Sequence, residues 1–134
     1  MELTEDLIQE LIKESQKGKS FSYSPYSHFA VGAAILTKSG KIYRGCNVEN
    51  ASYGGAICAE RTACVKAVSE GEQEFVAIAI SSNSDDYITP CGFCRQFLVE
   101  FGKNLIVIET KKNGEYVKRT LEDLLPESFG PHSL

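Results

Sequence analysis

The sequence predicts an α/β domain built on a sheet with helices over both faces. Segments of helical period alternate along the chain with short apolar runs of strand length, the pattern that buries a sheet from two sides. Gly, Pro and Asn-Gly signals fall between these segments and punctuate them. With 134 residues, 43% of them hydrophobic and 24% charged, the chain is the size of one globular domain with a real core. A single domain over residues 1–134 is expected, without repeats, linker or low-complexity tract.

Leu3, Leu7, Ile8, Leu11 and Ile12 recur at helical spacing, with Thr4 ahead of them as N-cap and Gly18 just past the expected end. A loop rich in Ser and Tyr follows, Ser20 to Ser27, broken by Pro25. Phe29 to Thr37 and Lys41 to Val48 flank the turn signal Ser39-Gly40 and read as a β-hairpin. Glu49 to Ile57 is a loop. Cys58 to Ser69 has helical spacing, with Gly71 suited to follow it. Phe75 to Ile80 reads as a buried strand. Pro90 favours a helix starting just after it, Cys91 to Phe101, closed by Gly102. Leu105 to Thr110 and Glu115 to Thr120 flank Asn113-Gly114; a hairpin is indicated, although the longer connection leaves another arrangement open. Thr120 and Asp123 form a weak capping box for a short last helix, stopped by Pro126.

The formal net charge is -4, from 14 Lys+Arg against 18 Asp+Glu, whereas a nucleic-acid binder ordinarily turns a basic face to phosphates. A small, uncharged substrate suits that balance better than a polynucleotide. The segment Met1 to Gln16 is charged and helix-like, without the apolar core of a secretory signal, and no apolar stretch is long enough to span a bilayer. A cytosolic protein with no membrane partner is expected, in a compartment that keeps thiols reduced. Its five cysteines, Cys46, Cys58, Cys64, Cys91 and Cys94, then read as core fillers, metal ligands or catalytic groups.

Two clusters carry chemistry, Cys58-Ala59-Glu60 and Pro90-Cys91-Gly92-Phe93-Cys94, each at a predicted helix start. Cys91 and Cys94, three apart in a first turn, point to the same side and can grip one ion, with Cys58 as a third ligand from the other helix. Three thiolates on a divalent zinc leave a net negative charge, which two helix N-termini would offset. Arg61 and Arg95, each directly after a cluster, could donate hydrogen bonds to the sulfurs. No fourth Cys or His has convincing spacing, and three protein ligands with an open position mark a catalytic zinc. Glu60, two residues from a ligand, is placed to act as general base and then general acid.

Each feature also has a plainer reading. An isolated C-x-x-C pair is as often redox-active or incidental, which would leave Cys58 and Glu60 unused. Alone, Glu60 reads as a helix N-terminal acid, Arg61 as a surface charge and Phe29 as core. Cys46 and Cys64 read as small buried side chains, and His28 and His132 as structural or solvent-facing. Both clusters falling at helix starts is what favours zinc catalysis.

Cys58-Ala59-Glu60 with Pro90-Cys91-Gly92-Phe93-Cys94-Arg95-Gln96 resembles the zinc deaminase signature in its three-Cys form. Tyr26-Ser27-His28-Phe29, Val31-Gly32-Ala33-Ala34, Gly45-Cys46-Asn47-Val48-Glu49-Asn50-Ala51 and Leu124-Leu125-Pro126-Glu127-Ser128-Phe129-Gly130 extend the likeness over nearly the whole chain, to the small tetrameric cytidine deaminases. The resemblance implies a three-layer α/β/α sandwich around a five-stranded mixed sheet. It implies hydrolysis of cytidine and 2′-deoxycytidine to uridine and 2′-deoxyuridine with release of ammonia, a pyrimidine salvage reaction. One Zn2+ per subunit would sit on Cys58, Cys91 and Cys94, with Glu60 as proton shuttle. Asn47 and Glu49 would hydrogen-bond the ribose hydroxyls, Phe29 would pack on the pyrimidine, and backbone groups around Ala59 and Cys91 would read the base edge. Ala51, Tyr53 and Phe129 would reach over the pocket of a neighbouring subunit in a homotetramer.

The chain departs from the family pattern at Ala30, where many relatives carry Pro, and at Gly54-Gly55-Ala56, which replaces a Pro-Leu-Gly-like stretch and loosens the loop presenting Tyr53. Two rivals remain at this level: the same chemistry on an analogue antibiotic or another base, and a zinc-stabilised binding module without turnover. Glu49 would repel a nearby phosphate, which disfavours nucleotides.

Overall fold

The computed structural model describes residues 1–134. The elements follow in the expected order: α1 (Glu5–Lys19), β1 (Val31–Thr37), β2 (Ile42–Cys46), α2 (Ala59–Ser69), β3 (Phe75–Ser82), α3 (Gly92–Val99), β4 (Ile106–Thr110), β5 (Tyr116–Thr120) and α4 (Leu121–Leu124), with short 3-10 turns at Tyr53–Gly55 and Pro131–Ser133.

Helix α1 begins where Thr4 caps it, its hydroxyl accepting from Leu7 N at 3.2 Å. It does not stop at Gly18 as expected. Gly18 is buried within the helix, and a Cβ there would lie 2.6 Å from the Gly45 carbonyl oxygen on β2. The glycine serves close approach of helix to strand rather than termination. On the opposite side of β2 the contact is closer still. A Cβ on Gly45 would fall 2.4 Å from Ala63 N and 2.5 Å from Ala59 O, so the first turns of α2 lie backbone to backbone on the strand.

The five strands form one mixed sheet in the order β2-β1-β3-β4-β5. β1 pairs antiparallel with β2 and β3, β4 pairs antiparallel with β5, and β3 and β4 run parallel. A parallel pair needs a crossover connection, and α3 supplies it. The hairpin reading of β4 and β5 holds, with Gly114 at φ +92 in the turn. Helix α3 is shorter than the expected Cys91–Phe101: Cys91 is its N-cap, and Phe101 N–H bonds to Leu98 O in a tightened last turn. Thr120 and Asp123 close a reciprocal capping box on α4.

Alternation along the strands divides the core. Ile8, Leu11 and Ile12 of α1 pack on Ala34, Leu36, Ala79 and Ile108. On the other face, Ala63, Cys64 and Ala67 of α2 and Leu98 and Val99 of α3 cover Ala33, Ile35, Ile78, Ile80 and Val107. The layers are those of an α/β/α sandwich. No helix is long and apolar enough to cross a membrane.

Candidate active site

Cys58 is the N-cap of α2 and Cys91 the N-cap of α3, both in extended backbone; Cys94 follows in the first turn of α3. The two helix N-termini meet at these thiols, as the sequence leads one to expect. The three sulfurs lie within 4.8 Å of one another, and those of Cys58 and Cys91 are 3.8 Å apart. Tetrahedral zinc with Zn–S bonds near 2.3 Å separates its sulfurs by about 3.8 Å, so the donor set fits that metal. Cys94 is fully buried. The Cys58 thiol is held down to about 5, first by its hydrogen bond with Cys94 and, against burial, by the Arg61 guanidinium. Cys94, its partner, is pushed upward.

Arg61 donates from Nη2 to Cys58 Sγ at 3.5 Å, and its guanidinium carbon stands 4.8 Å from the centre of the Phe93 ring. The surface-charge reading of Arg61 is therefore replaced. Arg95 does not reach the sulfurs. Its Nε donates to Pro90 O at 2.8 Å, Nη1 to Leu124 O at 2.8 Å and Nη2 to Thr89 Oγ1 at 3.0 Å, so it ties the segment before Cys91 to the end of α4. Pointing into that cage of two carbonyls and a hydroxyl satisfies three donors, which a single sulfur could not.

Beside the thiols lies a cavity of about 270 Å³ lined by Ser27, Phe29, Val31, Asn47, Glu49, Cys58, Ala59, Glu60, Ile88, Thr89 and Cys91. Glu60 is only 4% exposed, and burial pushes its carboxyl up to about 7. Phe29 is 42% exposed and forms part of the wall, correcting the core reading that its apolar neighbours suggest. Asn47 is fixed by three bonds: Oδ1 accepts from Val31 N at 3.0 Å and from the Ser22 hydroxyl, and Nδ2 donates to Phe29 O at 2.8 Å. Glu49 accepts from Tyr26 N at 3.0 Å, Ser27 N at 3.1 Å and the Ser27 hydroxyl. Asn47 thus keeps one N–H, and Glu49 keeps acceptor capacity, for a ligand.

Ala51, Tyr53 and Phe129 do not line this cavity; Tyr53 is 79% and Phe129 59% exposed on the surface. Tyr53 stands edge-on to Tyr26 with ring centroids 6.2 Å apart. Sequence reasoning missed Ser27, Val31, Ile88 and Thr89 as lining residues. Ser27 and Val31 fall within the Tyr26–Phe29 and Val31–Ala34 segments that carry the family resemblance, and Thr89 lies just before the Pro90-Cys91 helix start. Cys64 is buried, its thiol pushed up to about 12 by burial, whereas Cys46 is half-buried with its thiol on Phe21 O at 3.4 Å.

The profile of the cytidine and deoxycytidylate deaminase zinc-binding region matches residues 2–110. The chain belongs to this family. A cytidine deaminase of Sporosarcina psychrophila is 43% identical over 128 residues, covering 95% of this chain and 94% of its own. The crystal structure of cytidine deaminase from Burkholderia pseudomallei superposes with a TM-score of 0.88 at 42% identity, over 95% of this chain and all of that one (100%). That of the Mycobacterium tuberculosis cytidine deaminase gives 0.81 at 38% identity, over 92% and 97%. Membership of a zinc-binding deaminase family and the cluster of Cys58, Cys91 and Cys94 agree on the metal.

Proposed function

We propose that this protein hydrolyses cytidine and 2′-deoxycytidine to uridine and 2′-deoxyuridine, releasing ammonia. One observation carries the reading: a single cavity brings the buried carboxylate of Glu60 together with the metal-binding thiols and the Asn47–Glu49 pair. Zinc, when bound by Cys58, Cys91 and Cys94, acidifies a water so that it becomes nucleophilic near neutral pH. Glu60 moves the protons. It takes one from the attacking water, delivers it to the ring nitrogen, and protonates the exocyclic amine as the C–N bond breaks. The water oxygen remains on the pyrimidine carbon, its hydrogens are redistributed through Glu60, and ammonia leaves.

Phe29, Val31 and Ile88 give the cavity apolar walls suited to a flat base, and Ala59 and Cys91 also line it, where their backbone groups would read the base edge. Asn47 offers a donor and Glu49 an acceptor. A sugar hydroxyl, which both accepts and donates, satisfies the two together, whereas a phosphate oxygen facing Glu49 would be repelled. Arg61 beside Cys58 and the two helix N-termini offset the negative charge of three thiolates. The protein works as a homotetramer in the cytosol. The exposed Tyr53 and Phe129, and Ala51 two residues before Tyr53, have no part in their own chain's cavity and are free to close that of a neighbour. None of the five cysteines is in a disulfide, which suits a reducing compartment.

Loss of the cytidine absorbance band tests the activity directly. Turnover is expected to stop when a chelator strips the zinc and to return when zinc is restored. Zinc-loaded protein that leaves cytidine and deoxycytidine intact would overturn the proposal, and sedimentation showing an active monomer would overturn the tetramer.

A further inference from the structure

The loop between α1 and β1 is tied to the Asn47–Glu49 segment by hydrogen bonds that the metal and proton chemistry do not use. Glu49 Oε1 accepts the backbone N–H groups of Tyr26 and Ser27, and Oε2 accepts the Ser27 hydroxyl. That hydroxyl in turn accepts from Phe29 N–H at 3.0 Å. A serine hydroxyl has one proton, so with Phe29 N–H on its lone pair the proton is committed to Glu49. His28, between Ser27 and Phe29, lies in the left-handed region at φ 57, an unfavourable conformation for a residue with a side chain. The bonds on either side of His28 hold it there.

We propose that Ser27 is a positioning residue of this site: its hydroxyl fixes the Glu49 carboxylate against the Phe29 backbone, so that sugar and base are gripped at a set spacing. The proposal rests on the reading of Glu49 as a sugar contact. A glutamate on an exposed loop samples many rotamers, and ordering it during binding lowers affinity. Here three donors order it beforehand and leave acceptor capacity for the ligand. The same bonds, first among them that from Ser27, hold the Glu49 carboxyl below its usual range, so it meets the ligand as an anion. Phe29 gains as well. Its N–H is anchored to Ser27 Oγ and its carbonyl to Asn47 Nδ2, so the peptide units on either side of Phe29 are tied to the sugar-binding side chains, one through Ser27 and one directly.

The test is a double-mutant cycle in steady-state kinetics on the zinc-loaded full chain with cytidine. Ser27→Ala is expected to raise KM about tenfold with a much smaller change in kcat, the signature of lost ground-state binding. Ser27→Thr, which keeps the hydroxyl, is expected to stay near the parent KM. In a Glu49→Gln background, Ser27→Ala should add less than about a twofold further rise, because residues acting through one another are not additive. If Glu49→Gln raises KM but Ser27→Ala does not, or if the two penalties multiply independently, the positioning role is overturned while the sugar contact stands. If Glu49→Gln leaves KM unchanged, the sugar contact fails and the proposal falls with it.

Discussion

Under α1 the buried hydroxyls of Ser15, Ser81 and Thr110 satisfy one another and nearby carbonyls, and the side chains around them are aliphatic. Under α2 and α3, across the same sheet, Arg61 Nε is buried without a partner, a carboxyl sits 4% exposed, and three thiols crowd together. The first face pairs its buried hydroxyls on folding. The second keeps an unpaired guanidinium N–H, a buried carboxyl and three clustered thiols, a departure from the usual pairing of buried polar groups. Apolar core lies on both sides of the sheet, and the chemistry is confined to one of them.

Substitutions on the two faces should therefore fail in different ways. The largest effect is expected from Glu60→Gln, which should keep one bound zinc per chain while lowering kcat by about 10³-fold or more; unchanged turnover with full metal content would refute its role. Leu11→Ala, on the α1 face, should cost about 2–5 kcal/mol in denaturant unfolding, with the kcat of the folded fraction preserved. Ser81→Ala leaves Ser15 short of a buried partner and should cost about 1–3 kcal/mol, again without a change in KM. A fall in activity of the folded protein from either variant would break the division between faces.

The smallest effect belongs to the edge of the molecule. Thr120 N–H holds the Asp123 carboxyl below the usual aspartate range. A depressed folded pKa contributes stability that is full above the unfolded pKa and is lost as pH falls through the folded one. Asp123→Asn should consequently be slightly less stable than the parent at neutral pH, with the difference vanishing in acid. Thermal unfolding followed from pH 7 downward checks this, and a gap that widens in acid would contradict it.

What could be read in the sequence was what is local. The Thr4 cap and the Thr120–Asp123 box act across three residues, and the spacing of Cys91 and Cys94 lets both reach one ion from a single helical turn. Cys58 and Glu60 could be attached to them because both clusters fall at helix starts. The features that escaped are set by tertiary contacts. Arg95 follows Cys94 directly, yet it turns from the sulfurs, and one of its targets, Leu124 O, is 29 residues away. Glu49 meets Ser27 across 22 residues and Asn47 meets Ser22 across 25, pairings that no periodicity announces. Phe29 sits in an apolar run but faces the cavity, and Gly18 looks like a stop signal although it is a point of contact.

The meeting of Gly45 with Ala59 and Ala63 has a consequence for how this protein can change. Because main chain touches main chain there, the seat of α2, and with it the start that carries Cys58, is set by a distance that no repacking of side chains can adjust. A library that randomised the apolar interior could preserve the metal centre through many combinations. One added methyl at Gly45 would instead lift the helix from its strand and carry one ligand away from the other two, so metal capture is the property such a lineage would surrender first.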